Sequence, residues 1–170
     1  MTEQSFTPAL GRLAPTRFHD GVVALTRERL WRGLTALYVA PRAGEEADWR
    51  VGRGDELGEL VGAGTADTVV SSLVPHQCAL PVKRAVLASM AEALRPGGKL
   101  LIADYGLQRT RRMRLAFRTV QFADGPEGTR PNAEGVLPEL MAQAGFREVR
   151  EAEVVSTVTG SLSVYVARRG

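Results

Sequence analysis

Two short apolar runs in the middle of the chain flank an amphipathic segment. Residues 68–74 and 99–103 are rich in β-branched and aliphatic side chains without strict alternation, which is typical of strands covered on both faces. Between them, residues 82–94 place apolar side chains on one helical face, and Pro96-Gly97-Gly98 follows with turn chemistry. This order predicts a βαβ unit with parallel pairing and a right-handed crossover.

The C-terminal part of the chain contains helical patterns followed by β-rich ones. Residues 109–122 alternate basic and apolar positions, which predicts an amphipathic helix. Glycine and proline predict a loop over residues 124–132, and a further helix is predicted over residues 133–144. The runs 148–156 and 161–168 are β-rich and joined by a short connection, so they predict an antiparallel hairpin.

The N-terminal part has a different character. Residues 1–17 are polar and contain two prolines, which indicates an arm, and residues 20–38 carry apolar side chains at helical spacing. A short strand is predicted at residues 49–52. Since 170 residues fit one domain, we expect an arm and a helix over residues 1–47 and a core over residues 48–170.

Composition narrows the classes to which the chain can belong. With 44% hydrophobic and 24% charged residues, it is globular rather than disordered. A single cysteine, Cys78, excludes an internal disulfide, and the two histidines have no neighbouring ligands at metal spacing, so no metal site is expected. No apolar run approaches the roughly 20 residues of a bilayer span, and no targeting pattern is visible. We therefore expect a cytoplasmic protein without a membrane partner.

Nearly all of the positive charge lies on arginine. Of 22 basic residues only Lys83 and Lys99 are lysines, and the densest run of charge covers residues 109–118. Guanidinium groups bind phosphate and carboxylate well, so this run is a candidate anion or nucleic-acid patch. Codon bias in a GC-rich genome gives the same excess of arginine and is the favoured explanation of it. Because Phe117 is the only aromatic residue within the run, we favour a solvated lid helix over a nucleic-acid surface.

From residue 51 to the end, the chain resembles the class I S-adenosylmethionine-dependent methyltransferases, a doubly wound Rossmann-like group. The string LRPGGKLLIAD at residues 94–104 is the most specific element. The other matching segments are the Gly54-Asp55 step, ADTVVSS at residues 66–72 and Ala144-Gly145-Phe146. The resemblance implies a reduced Rossmann-like α/β fold, with a parallel sheet, a C-terminal antiparallel hairpin and flanking helices.

One half of the family's cofactor site is absent from the sequence. The family binds its cofactor with a Gly-x-Gly-x-Gly turn after the first strand and with an acidic residue about 20 residues further on. Only 11 residues lie between Val39 and Val51, too few for the strands and helices that would hold these features. The glycine pairs at 52–54 and 62–64 are better explained as turns.

The resemblance also implies which residues face the cofactor, S-adenosylmethionine. In the family an acid after the third strand contacts the adenine amino group, and Asp55, beside Gly54, matches that acid. Ser72 lies near the end of a predicted strand, where the family's cofactor passes toward its substrate. Gly54, Asp55 and Ser72 are therefore the expected cofactor contacts. The alternative for Asp55 is a solvated acid in a turn.

The same edge of the sheet holds the candidates for chemistry. Ligands of open α/β sheets bind at the carboxyl ends of the strands. His76 follows one strand and is the candidate general base. Asp104 ends the next strand and is the candidate for orienting a substrate hydroxyl or amine, with Tyr105 as a substrate contact. The alternative for His76 is a hydrogen-bonded loop residue without a catalytic role, and the alternative for Asp104 is a structural cap.

Three functions follow from these features. The resemblance implies methyl transfer from S-adenosylmethionine to a small molecule. The missing half of the cofactor site points to an alternative, a catalytically inactive binding or assembly module, and the arginine run to a third, a nucleic-acid binder. Because the family's first strand is missing beside residues 68–74, we expect an open strand edge there and a homodimer that covers it.

Overall fold

The structure, a computed structural model, describes residues 50–170. The predicted arm and the predicted helix at residues 20–38 lie outside the described residues. In chain order the elements are α1 (Leu57–Val61), β1 (Ala66–Ser72), α2 (Leu80–Ala93), β2 (Leu94–Tyr105), α3 (Arg111–Asp124), α4 (Pro126–Ala133), α5 (Leu137–Gln143), β3 (Phe146–Thr157) and β4 (Gly160–Arg169). Single 3-10 turns at Gly54–Glu56 and Pro75–Gln77 precede α1 and α2.

A four-stranded sheet in the order β1-β2-β4-β3 forms the centre of the described chain. β1 and β2 are parallel, and Ser72 lies opposite Ala103. β4 is antiparallel to both β2 and β3, and β3 and β4 form a hairpin closed by Thr157 and Gly160. The predicted parallel βαβ pairing and the C-terminal hairpin are therefore confirmed. Within residues 50–170, β1 is the outermost strand on its side.

The two faces of β2 contribute to two hydrophobic clusters. Leu100 and Ile102 pack with residues of α2 and α5 on one face. Ala103 and Tyr105 pack with Phe117 of α3 on the other face. Burial on both faces explains why this part of the chain is almost continuously apolar instead of alternating.

Residues 124–132, predicted to be a loop, contain the helix α4. Gly125 has a φ of +85° and ends α3, and Pro126 then starts α4 at a position where its missing N–H costs nothing. Thr129 Oγ1 donates to the carbonyl of Gly125 at 2.6 Å. The loop prediction was wrong because Gly125 and Pro126 lie at the boundary between two helices, and α4 accommodates Gly128 and Pro131 within it.

Two further predictions need correction. The helix predicted over residues 133–144 is confined to α5 (Leu137–Gln143), with Pro138 in its first turn. The strand predicted at 49–52 is not seen: residues 50–52 belong to no strand. The run is too short to be held in a strand by its local pattern alone.

Candidate functional site

His76 and Asp104 meet beyond the carboxyl ends of β1 and β2. His76 lies in the turn that follows β1, and Asp104 is the penultimate residue of β2. His76 Nδ1 lies 2.6 Å from Asp104 Oδ1. Only 3% of the His76 surface is exposed, and Asp104 is fully buried. Parallel pairing explains the contact, because it places both strand ends at the same edge of the sheet.

Both carboxylate oxygens of Asp104 accept hydrogen bonds. The backbone N–H of His76 donates to Oδ2 at 2.8 Å, and the backbone N–H of Tyr105 donates to Oδ1 at 2.8 Å. Together with the imidazole contact, these bonds supply the partners that a buried carboxylate needs. The side chain is thereby held in one orientation at the strand end.

A second acid faces the other ring nitrogen of His76. Asp124, the last residue of α3, places Oδ2 3.4 Å from Nε2. Burial lowers the pKa of His76, but attraction and hydrogen bonding by Asp104 and then Asp124 outweigh burial and raise this pKa to about 9. The ring is therefore an imidazolium at neutral pH, and it links the β1–α2 turn to the end of α3.

Tyr105 completes this buried group. Its ring meets the His76 ring edge-on, with centroids 5.1 Å apart, and the Phe117 ring of α3 at 5.0 Å. The hydroxyl lies 2.9 Å from Thr159 Oγ1 in the turn of the β3–β4 hairpin. Burial raises the pKa of Tyr105 to about 12, so the phenol keeps its proton. We call His76, Asp104, Tyr105 and Asp124 the strand-end cluster.

Lys83 is a buried residue near this cluster that the sequence analysis did not single out. Its ammonium donates to the carbonyls of Pro75 and Gly128, the latter at 2.9 Å. Burial lowers the pKa of Lys83 to about 8. The available signal was its position three residues before Val86 and four before Leu87, on the apolar face of α2.

The helix α4 lies close against the turn that carries His76. A Cβ added to Gly128 would come within 2.9 Å of the carbonyl oxygen of Gln77. Asn132, further along α4, donates from Nδ2 to the carbonyl of Tyr105 at 3.0 Å. The helix α4 thus covers the turn after β1 and the end of β2.

Several solved structures are similar in fold to this chain. An O-methyltransferase family protein from Burkholderia thailandensis superposes with a TM-score of 0.54 at 18% identity, covering 85% of this chain and 41% of its own. Human N-acetylserotonin methyltransferase in complex with S-adenosylmethionine superposes with a TM-score of 0.53 at 19% identity, covering 76% of this chain and 36% of its own. TnmH superposes with a TM-score of 0.52 at 24% identity, covering 77% of this chain and 37% of its own.

The described chain has the class I methyltransferase fold. The fold is reduced, with a four-stranded sheet in the described residues. The chain spans about two-fifths of the length of these three proteins. No family model and no curated protein matches the sequence. The predicted fold class, a reduced Rossmann-like methyltransferase fold, is confirmed.

The expected cofactor contacts are Gly54 and Asp55 in the 3-10 turn before α1 and Ser72 at the end of β1. Arg53 donates to both oxygens of Asp55, from Nε to Oδ1 at 3.0 Å and from Nη2 to Oδ2 at 2.8 Å. The hydrogen bond from Arg53 lowers the pKa of Asp55. Ser72 is exposed at the last position of β1. Their roles in cofactor binding stay predictions.

The described residues fit only part of the cofactor that this fold implies. Asp55 offers a carboxylate to an adenine amino group once one of its oxygens is released by Arg53. Gly54, however, opens a 3-10 turn with two acids, followed by the five-residue helix α1. Two acids in a first turn oppose an anion at that place. Residues 50–170 therefore contain no glycine turn suited to the carboxylate and ribose side of the cofactor.

Other chemistry has little support in the described part of the chain. Burial raises the pKa of the Cys78 thiol, which makes it a poor nucleophile at neutral pH. Residues 50–170 contain no cluster of three metal-ligating side chains. None of the helices described there has the length and apolar character that a membrane span requires.

Proposed function

We propose that this chain transfers a methyl group from S-adenosylmethionine to a small molecule. The observation that carries the proposal is the strand-end cluster in a methyltransferase fold. Ligands of open α/β sheets bind beyond the carboxyl ends of the strands, and the cluster lies there. The fold similarity supports the reaction class, and the acceptor stays unassigned.

In this proposal Gly54, Asp55 and Ser72 hold the adenosyl part of the cofactor. When bound, the cofactor supplies a methyl group that its sulfonium already activates. The residues of the chain then have to position the acceptor and exclude water, which by itself accounts for large accelerations. The cover formed by α3 and α4 over the strand ends supports that role.

The pKa of His76 bears on its predicted role as general base. An imidazolium held between two carboxylates has no free lone pair, so it cannot take a proton from the acceptor at neutral pH. Its geometry favours a positioning role, in which it fixes Asp104 and the end of α3. The catalytic assignments of His76 and Asp104 and the substrate contact of Tyr105 stay predictions.

Cofactor binding is the decisive test. Titration calorimetry with S-adenosylmethionine is expected to show binding weaker than micromolar, because the described residues lack the glycine turn. Asp55→Ala is expected to weaken it further by about 1.5 to 3 kcal/mol, the contribution of a charge-assisted hydrogen bond. Asp67→Ala is the matched control, since Asp67 pairs with Arg95 on the exposed surface. A saturating ligand that selects the folded state must also raise the melting temperature.

A second candidate function is a non-catalytic binding or assembly module. Two observations favour it: Arg53 occupies both oxygens of Asp55, and His76 is buried between the carboxylates of Asp104 and Asp124. In that case calorimetry shows no heat at millimolar cofactor and the melting temperature does not change. Detectable binding together with transfer of a labelled methyl group to phenols or amines supports the enzyme instead.

A further inference from the structure

The outward surface of α3 combines large apolar side chains with arginines. Phe122 is 93% exposed and Leu115 is 65% exposed. Arg111 and Arg118 are exposed on the same side of the helix. We call these four residues the α3 outer surface.

Helical geometry places the four residues in one row. Leu115 and Phe122 are seven positions apart, as are Arg111 and Arg118, so each pair is separated by about two turns, or about 10 Å. The opposite side of the same helix buries Phe117 and Val120 against the sheet. The inward side is therefore sufficient to pack α3, and the fold does not require apolar residues on the outward side.

The charge of this surface is not balanced by acids of the helix. Asp124 is the only acid in α3, and it is turned inward toward His76. Arg114 donates to the carbonyl of Gln108 at 3.1 Å, so it is directed toward the start of the helix. Among the described residues, Arg111, Arg112 and Arg118 form no ion pair. In the described part of the chain, the row therefore alternates arginines that form no ion pair with exposed apolar side chains.

We propose that the α3 outer surface docks on an anionic phospholipid surface. Phe and Leu on an amphipathic helix enter the boundary between headgroups and acyl chains, and arginines at the same height bind the phosphates. Such a helix lies in the plane of the membrane and needs no span, so the proposal agrees with the absence of a spanning helix in residues 50–170. It departs from the expectation of no membrane partner, because that expectation rested on the lack of an apolar run long enough to span a bilayer.

Charge and shape favour this occupant over the alternatives. Two copies of the surface face to face would bring arginine rows against each other, which like-charge repulsion opposes. A nucleic acid would neutralise the arginines, but phosphate contacts leave the exposed side chains of Leu115 and Phe122 without an apolar partner. An anionic bilayer satisfies both kinds of side chain.

Vesicle flotation tests the proposal with the full chain and without cofactor, so the result does not depend on the proposed methyl transfer. We expect binding to vesicles of phosphatidylcholine with phosphatidylglycerol and none to phosphatidylcholine alone. Phe122→Ser is expected to lower the partition coefficient at least tenfold. The matched control is Val154→Ser, which removes an apolar side chain 44% exposed on β3.

Charge and insertion are tested separately. Arg118→Gln is expected to weaken binding severalfold, whereas Arg84→Gln on the exposed side of α2 leaves it unchanged. The wild type contains Trp31 and Trp49, so its emission is the reference. The additional emission of Phe122→Trp should shift to shorter wavelength with anionic vesicles, since the side chain enters an apolar layer. Absence of binding overturns the proposal. The proposal is also overturned if Phe122→Ser still binds the vesicles and a DNA duplex displaces the protein from them. That result would identify the α3 outer surface as a binding site for a polyanion.

Discussion

The buried imidazolium of His76 predicts a specific dependence of stability on pH. Its pKa is about 9 in the folded chain, against the ordinary value of 6.5 that applies to an unfolded chain. This difference corresponds to about 3 kcal/mol in the free energy of unfolding. Because the folded pKa is the higher one, the contribution is fully present below pH 6.5 and is lost as the pH rises through 9.

The most informative interval runs from pH 6.5 to pH 8. Over it the folded state holds nearly one more proton than the unfolded state, so the free energy of unfolding should fall by about 1.5 kcal/mol. Lys83 acts in the opposite direction, because its pKa is lowered to about 8 from 10.5. Its penalty is relieved mainly between pH 8 and 10.5, and it therefore perturbs the chosen interval little.

Urea unfolding at constant ionic strength measures this change. We compare the wild type with His76→Gln, which keeps a donor for Asp104 but cannot titrate. His19→Gln is the control, since His19 is the other histidine of the chain. The wild type and His19→Gln should lose stability across the interval, and His76→Gln should not. A flat wild-type profile, or an equal decline in His76→Gln, refutes the assignment of the charge to His76.

Two further predictions concern packing and assembly. Gly128→Ala should lower the free energy of unfolding by about 1 to 3 kcal/mol, because the added methyl lies 2.9 Å from the carbonyl oxygen of Gln77. Urea unfolding measures this change, and an unchanged free energy of unfolding would mean that α4 can shift at no cost. Within residues 50–170, the outermost position of β1 and the 45% exposure of Val70 predict a homodimer. Light scattering at micromolar concentration is expected to give about twice 18.4 kDa, and a concentration-independent mass near 18 kDa contradicts this.

Local patterns were sufficient for the sheet but not for the cover above it. The strands β2 and β4 are marked by aliphatic runs between glycine turns, and such signals are local. The helix α4 contains two prolines and a glycine, and its contacts with the β1–α2 turn and the end of β2 hold it in place. No sequence pattern reveals those contacts, because they join segments far apart in the chain.

The candidate site divides in the same way. The strand-end rule brought His76, Asp104 and Tyr105 together correctly, since parallel strands end at one edge. The rule could not reveal Asp124, which reaches His76 from the end of a helix 48 positions further on. The carboxylate of Asp124 raises the pKa of the imidazole further. The charge state of His76 therefore depends on a residue that is distant from it in the sequence.

The burial of Lys83 makes the opening of the α4 cover chemically observable. The chain has only two lysines, and Lys99 lies partly exposed on β2, so amine acylation has one accessible and one protected lysine target. While its ammonium is bound to the carbonyls of Pro75 and Gly128, Lys83 cannot meet a reagent. The rate at which Lys83 is modified, measured by peptide mass spectrometry relative to the rate at Lys99, therefore reports how often α4 separates from the β1–α2 turn. The rate of that motion can thus be measured without an introduced label.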